Sequence, residues 1–191
     1  HVRDLLPESW FIVKKNLEAL GHEKNFINQE EFLLLCQKNE VNEESSQRIL
    51  IGFMHDLGVI LHFQDDPRLE ALGILNPQWV TNGVYKILNA STLFVSKGTL
   101  SINLLNEILN LPEYPRDKRL FIVDMMKKFE LCYDIVPDKR FLVPDLLPKD
   151  EPFTGDWEGA LSFQYHYTVL PSSIITRFIV RMSEFIHNII W

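Results

Sequence analysis

Ile49-Leu50-x-x-Phe53-Met54-x-x-Leu57, running into Val59-Ile60-Leu61-His62-Phe63, decides the fold, because the chain contains it twice. The second copy is Phe121-Ile122-x-x-Met125-Met126-x-x-Phe129, running into Leu131-Cys132-Tyr133-Asp134-Ile135. In each copy the apolar residues recur first every three or four positions and then more closely. That change of period predicts a helix feeding directly into a strand. A short apolar return follows each copy, Ile74-Leu75-Asn76-Pro77 and Phe141-Leu142-Val143-Pro144. A helix followed by a two-stranded hairpin is the back half of a winged helix, so the spacing predicts two such units.

Working outward, each copy is preceded by two more helical patterns. Pro7 opens a first helix with Trp10, Val13, Leu17 and Leu20 on one face and Gly21 at its end. Asn28 and Glu31 have capping-box spacing ahead of Phe32, Leu33, Leu35 and Cys36. The third helix, Glu44 to Leu57, is closed by Gly58. A hairpin of Val59–Phe63 with Leu72–Leu75 follows, with Asp65-Asp66-Pro67 in its loop. The order then restarts about 70 residues on, as a direct repeat. Asn76-Pro77 caps a helix, Leu93-Phe94-Val95 reads as a short strand, and Ser101–Asn110 and Arg116–Phe129 read as helices. Leu131–Ile135 with Phe141–Val143 gives the second hairpin.

The expected class is therefore α+β: tandem winged-helix-like units at 1–76 and 77–148, a linker at 149–160, and a strand with a long amphipathic helix at 161–191. In the strand, Leu161, Phe163, Tyr165, Tyr167 and Val169 alternate with polar residues. The helix carries an apolar stripe of Ile175, Phe178, Ile179, Met182, Ile186 and Ile189. The apolar run up to Trp191 reads as leading into a further domain. Arg177 and Arg181 lie four residues apart on the helix. Like charges at that spacing repel, so an acidic neighbour is expected, within the domain or on a partner.

Composition limits the chemistry. The 191 residues are 46% hydrophobic and 24% charged, ordinary for a globular protein, with a net charge of −7 that disfavours bulk attraction to nucleic acid or anionic membrane. Two cysteines in apolar stretches, Cys36 and Cys132, suggest buried thiols and a reducing, cytoplasmic setting. No apolar run reaches the ~18 residues that a membrane-spanning helix needs. No phosphate-binding glycine loop, nucleophile elbow or metal-ligand spacing is present, so no catalytic, cofactor-binding or metal residue is nominated. One alternative remains. Arg116, Lys118, Arg119, Lys127 and Lys128 make the helix 116–129 basic, and a winged helix could use it to read nucleic acid.

Two stretches carry a resemblance. Phe129-Glu130-Leu131-Cys132-Tyr133, and Phe163-x-Tyr165-x-Tyr167-x-x-Leu170-Pro171-Ser172-x-Ile174-x-x-Arg177-Phe178-Ile179-Val180-Arg181, are similar to the COR domain of Roco proteins. Leu6-Pro7-x-Ser9-Trp10 and Ile74-Leu75-Asn76-Pro77-Gln78-Trp79-Val80 fit the same pattern. The resemblance implies a non-catalytic first half, COR-A, that follows a Ras-like GTPase domain called Roc and packs on it in cis. GTP or GDP with magnesium would belong to that neighbour. A second COR half would carry most of a homodimer contact. Leucine-rich repeats, and in some members a kinase, would lie elsewhere in the parent protein. Carried over, the contact with the G domain falls on Tyr165, Tyr167 and Pro171, with Arg177 just behind.

Overall fold

The computed structural model describes residues 7–150, 155, 159, 161 and 163–186. Most of the 149–160 linker and the last stripe residue, Ile189, lie outside them. The fold is α+β. The chain divides into two compact units with the boundary between Gly83 and Val84, inside a helix.

In the first unit α1 (Glu8–Gly21) buries Val13 and Leu17, with Trp10 and Leu20 half-buried beside them. Strand β1 (Phe26–Asn28) comes next, and Asn28 ends it by capping α2 (Gln29–Lys38). The capping box is complete: the Glu31 N–H donates to Asn28 Oδ1, and the Asn28 N–H donates to the Glu31 carboxylate, both at 2.9 Å. Helix α3 (Glu44–Asp56) buries Gln47, Leu50 and Met54. Gln47 is a polar residue in the core, and its amide donates to the Val41 carbonyl at 2.8 Å. These helices close over Ile27, Phe32, Cys36, Val41, Ile60 and Leu75. Burial pushes the Cys36 thiol up to about 11, so at neutral pH it stays protonated and unreactive.

The first hairpin differs from the expectation. Strand β2 (Leu72–Ile74) pairs antiparallel with β1, Phe26 opposite Ile74. Residues 59–63 meet β2 through a single bridge, Leu61 opposite Ile74. The cause lies in the loop. The Asp66 carbonyl takes the N–H groups of Leu69 and Glu70, which bends 66–70 into a helical turn instead of a ladder. Asp66 is also not the solvated loop acid its position suggests. It is 7% exposed, and its carboxylate is gripped by the Arg68 guanidinium at 2.9 and 2.8 Å.

Helix α4 (Pro77–Leu88) begins as expected, with Asn76 Oδ1 accepting from the Gln78 N–H. Its Trp79 packs on Phe26 with ring centroids 5.2 Å apart. The next prediction fails: Leu93-Phe94-Val95 belongs to a short helix, α5 (Ser91–Val95). The N–H groups of Leu93 and Phe94 both turn back to the Ala90 carbonyl. Only Leu93 is buried, while Phe94 and Val95 are 71% and 81% exposed, a distribution that no half-buried strand would give.

The strand lies just beyond, as β3 (Thr99–Ser101), reached through Lys97 and Gly98 in left-handed conformation. Gly98 is required there. Its φ is +78°, and a Cβ would sit 2.6 Å from the Val143 carbonyl oxygen. Helix α6 (Ile102–Ile108) is capped by Ser101. The expected helix 116–129 starts as a 3-10 turn (Arg116–Lys118) and continues as α7 (Arg119–Lys128), burying Phe121, Ile122, Val123, Met125 and Met126. Strands β4 (Tyr133–Val136) and β5 (Arg140–Leu142) form the second hairpin. Strand β5 is central, with β3 on one edge and β4 on the other. A 3-10 turn (Pro144–Leu146) ends this body.

Residues 163–167 carry no regular secondary structure, and among the described residues no strand pairs with them. The strand expected there lacks the ladder that would make it one. The helix after it, α8 (Ser173–Arg181), is followed by a 3-10 turn (Ser183–Phe185) and is shorter than the stripe predicted.

Candidate functional site

The segment carrying Tyr165, Tyr167 and Pro171 is laid open. The described residues from 161 to 173 are all exposed. Phe163 is 84%, Tyr165 80% and Tyr167 53% exposed, so both tyrosines present their rings to solvent. Exposed amphipathic rings of this kind suit a protein interface. Pro171 starts the turn into α8, its carbonyl accepting from the Ile174 N–H at 3.1 Å.

Arg177 is placed differently from those three. Its Nε donates to Glu130 Oε2 at 2.5 Å, and Arg181 Nε donates to Glu130 Oε1 at 2.7 Å. The acidic neighbour demanded by the two arginines is thus internal, just past the end of α7. These hydrogen bonds, from Arg181 and then Arg177, hold the Glu130 carboxyl below the usual glutamate value. The spacing of the arginines signalled an acid, but Glu130 is 47 residues from Arg177 and nothing in the sequence named it. The helix they sit on has no buried residue: Ile175 and Phe178 are 58% and 60% exposed.

The five cations of helix 116–129 do not form one outward strip. Arg116 is exposed, and Lys118 pairs with Asp117 at 3.1 Å. Arg119 turns inward to the carbonyls of Tyr114 and Asn106 and to Asn106 Oδ1, at 3.0 to 3.1 Å. Lys127 is only 8% exposed and sits among three carboxylates, Asp124 at 2.9 Å, Asp134 at 3.1 Å and Asp138 at 3.7 Å. Burial alone would lower its pKa. The bonds and charges of Asp124 and Asp134 outweigh that and hold it above the usual lysine value. Lys128 alone of the pair lies on the exposed side. A phosphate backbone would have to strip Arg119 and Lys127 from acceptors they already hold.

The first unit contains a cleft of about 330 Å³ whose lining includes Ile27, Phe32, Arg48, Ile51, His62 and Glu70. Burial lowers the His62 pKa, and its Nε2 is bonded to the Glu70 carbonyl at 2.9 Å. Among the described residues no group of three or more His, Cys, Asp or Glu could hold a metal ion. Among them, no helix is long and apolar enough to cross a membrane.

Comparison with known proteins bears on the family. The family model for the C-terminal of Roc, COR-A domain, matches residues 7–147, and the model for the COR-B domain matches 158–191. The probable serine/threonine-protein kinase pats1 of Dictyostelium discoideum is 26% identical over 94% of this chain, which spans 6% of it. A Roc-COR-CHAT protease of Runella zeae is 24% identical, also over 94% of this chain, which spans 19% of it. The chain therefore covers a small part of these relatives. Among solved structures, Methanosarcina barkeri Roco2 RocCORdC bound to GDP superposes with a TM-score of 0.70 at 43% identity, covering 74% of this chain and 44% of that one. With its helical and strand elements in place and the COR-A model matching from Pro7 to Leu147, this chain belongs to the COR family of Roco proteins.

Proposed function

We propose that this chain is a non-catalytic coupling module of a multidomain Roco GTPase, docking on the adjacent Roc domain and passing its GTP or GDP state to dimerisation and to other domains. The carrying observation is the exposed aromatic segment 161–171, which presents Tyr165 and Tyr167 beside Pro171 on a chain that belongs to the COR family. Nucleotide and magnesium would sit on the Roc domain, and the relative solved with GDP is a RocCOR protein. The second COR half would supply the dimer contact, with leucine-rich repeats or a kinase elsewhere in the parent. A cytoplasmic setting fits two buried cysteines outside any disulfide, Cys36 and Cys132.

We also read both units as winged-helix-like. In each, helices enclose a small antiparallel sheet whose last strand is central, β2 between β1 and Leu61, and β5 between β3 and β4. Such a unit is a rigid platform that carries a docking segment rather than a reaction centre. A signal passes only if the Roc domain binds this segment with different affinity in its two nucleotide states.

In a Roc-containing protein, Tyr165→Ala and Tyr167→Ala are expected to weaken Roc docking roughly thirtyfold each if each ring is an anchor worth about 2 kcal/mol. Hydrolysis should change with docking. Segment 161–171 should show hydrogen exchange that differs between GDP and a GTP analogue. Wild-type hydrolysis and exchange in both variants would remove the segment from the coupling path.

A further inference from the structure

We propose that Glu130 is a latch residue: its carboxylate grips Arg177 and Arg181 together and so fixes helix α8 on the body formed by residues 84–147. The contact is one carboxylate against two guanidinium groups on successive turns of one helix. Oε2 takes Arg177 Nε at 2.5 Å and Oε1 takes Arg181 Nε at 2.7 Å. Each oxygen serves one arginine, which relieves the repulsion between like charges four residues apart.

The position of Glu130 explains how a surface residue holds so directed a carboxylate. It is the first residue past the cap of α7, at φ +59°. Its N–H bonds to the Lys127 carbonyl at 3.0 Å, and the Leu131 N–H bonds to that of Met126 at 2.8 Å. This pair of bonds is a Schellman end. The first unit ends α3 in the same way, Gly58 N–H to His55 and Val59 N–H to Met54, both at 2.9 Å. There the left-handed residue is glycine, at φ +70°. Glu40 and Lys97 show that other residues can occupy such an end, so backbone alone does not single out Glu130. Its distinction is that the side chain leaving this fixed backbone reaches arginines 47 and 51 residues away.

Apolar packing holds α8 only in part. Nine residues are too few for a helix that is stable by itself. None of them is fully buried: Ile174, Ile179 and Val180 are half-buried, while Ile175 and Phe178 face solvent. Among the described residues the helix adjoins the turn Pro144–Leu146 and is tied to Glu130 by two charge-assisted hydrogen bonds. The latch also spans a family boundary: Glu130 lies in the stretch matching COR-A, and both arginines lie in the stretch matching COR-B. It would therefore set how the start of the second half leaves the first. It stands independently of whether Tyr165 and Tyr167 meet a Roc domain.

The test is amide hydrogen exchange on the purified chain, with α7 as the internal control. Glu130→Gly decides it, because glycine keeps the left-handed backbone at φ +59° while the side chain that carries the carboxylate is removed. Exchange across Ser173–Arg181 should rise about tenfold or more, while α7 keeps its protection. Glu130→Gln and the double variant Arg177→Gln/Arg181→Gln should act alike, and combining them with each other should add nothing further. Raising salt to 1 M should move the unaltered chain toward the variants, because the Debye length falls to about 3 Å. Exchange of α8 within about twofold of the unaltered chain in Glu130→Gly, or full additivity of the Glu130 and arginine changes, overturns the latch.

Discussion

Replacing Phe141 with alanine is expected to cost about 3–5 kcal/mol of stability in the second unit. Phe141 is fully buried on β5, the central strand, with Leu100 opposite on β3 and Asp134 opposite on β4. Its ring lies 5.3 Å from Lys127 Nζ, so the side chain fills the core and carries a cation on its face. Truncation leaves a cavity lined by both neighbouring strands and strips that ammonium of its ring. Denaturant unfolding followed by exchange of the amides of β3, β4 and β5 should show a lower midpoint with an unchanged slope. Phe141→Leu, which keeps most of the volume, should lose much less. A loss under about 1 kcal/mol for the alanine variant would mean that the sheet is not packed as described.

The second large effect is expected at Lys127. Lys127→Met keeps the apolar stem but removes the ammonium that Asp124, Asp134 and Asp138 share. Breaking a buried pair costs about 3–5 kcal/mol, and because Asp138 is largely in water the expectation here is about 2–3 kcal/mol. The pH dependence has a defined sign. The fold raises the Lys127 pKa, so its stabilisation is complete below the unfolded lysine value of about 10.4 and is lost as pH rises through the higher folded value. The gap between the two proteins should be constant from neutral pH to about 10 and should then close. Urea midpoints measured across that range check both statements. A gap that persists unchanged into strong alkali would deny the lysine its electrostatic role.

Where a pattern extended over several turns, the sequence was readable. The stretches 49–57 and 121–129 are helices because their apolar spacing matches a helix face and the core needs that face. The capping pair Asn28 and Glu31 marked the start of α2 to the residue. Strands β1 and β3 went unseen because three residues are too few to show alternation. Leu93-Phe94-Val95 misled through its residue types, since backbone bonds to Ala90 outweighed strand preference. The alternation at 161–169 was read as a strand, but among the described residues none pairs with it, because pairing depends on a second segment that local sequence does not contain.

The site was legible to a similar degree. Two arginines one turn apart demanded an acid, yet only the tertiary fold brings Glu130 to them. The basic look of helix 116–129 came from counting charges without knowing which way they point. Arg119 and Lys127 face acceptors inside their own unit, so the charge count overstated the cationic surface.

The open stretch around Phe163, Tyr165 and Tyr167 has a colloidal consequence. Among the described residues its peptide groups join no ladder, its aromatic side chains are exposed, and no proline interrupts it before Pro171. Such a strip is a template onto which a second molecule can lay the same strip. The feature that suits the chain to a partner thus makes it prone to stick to itself whenever that partner is missing, and concentration then governs its behaviour in the test tube.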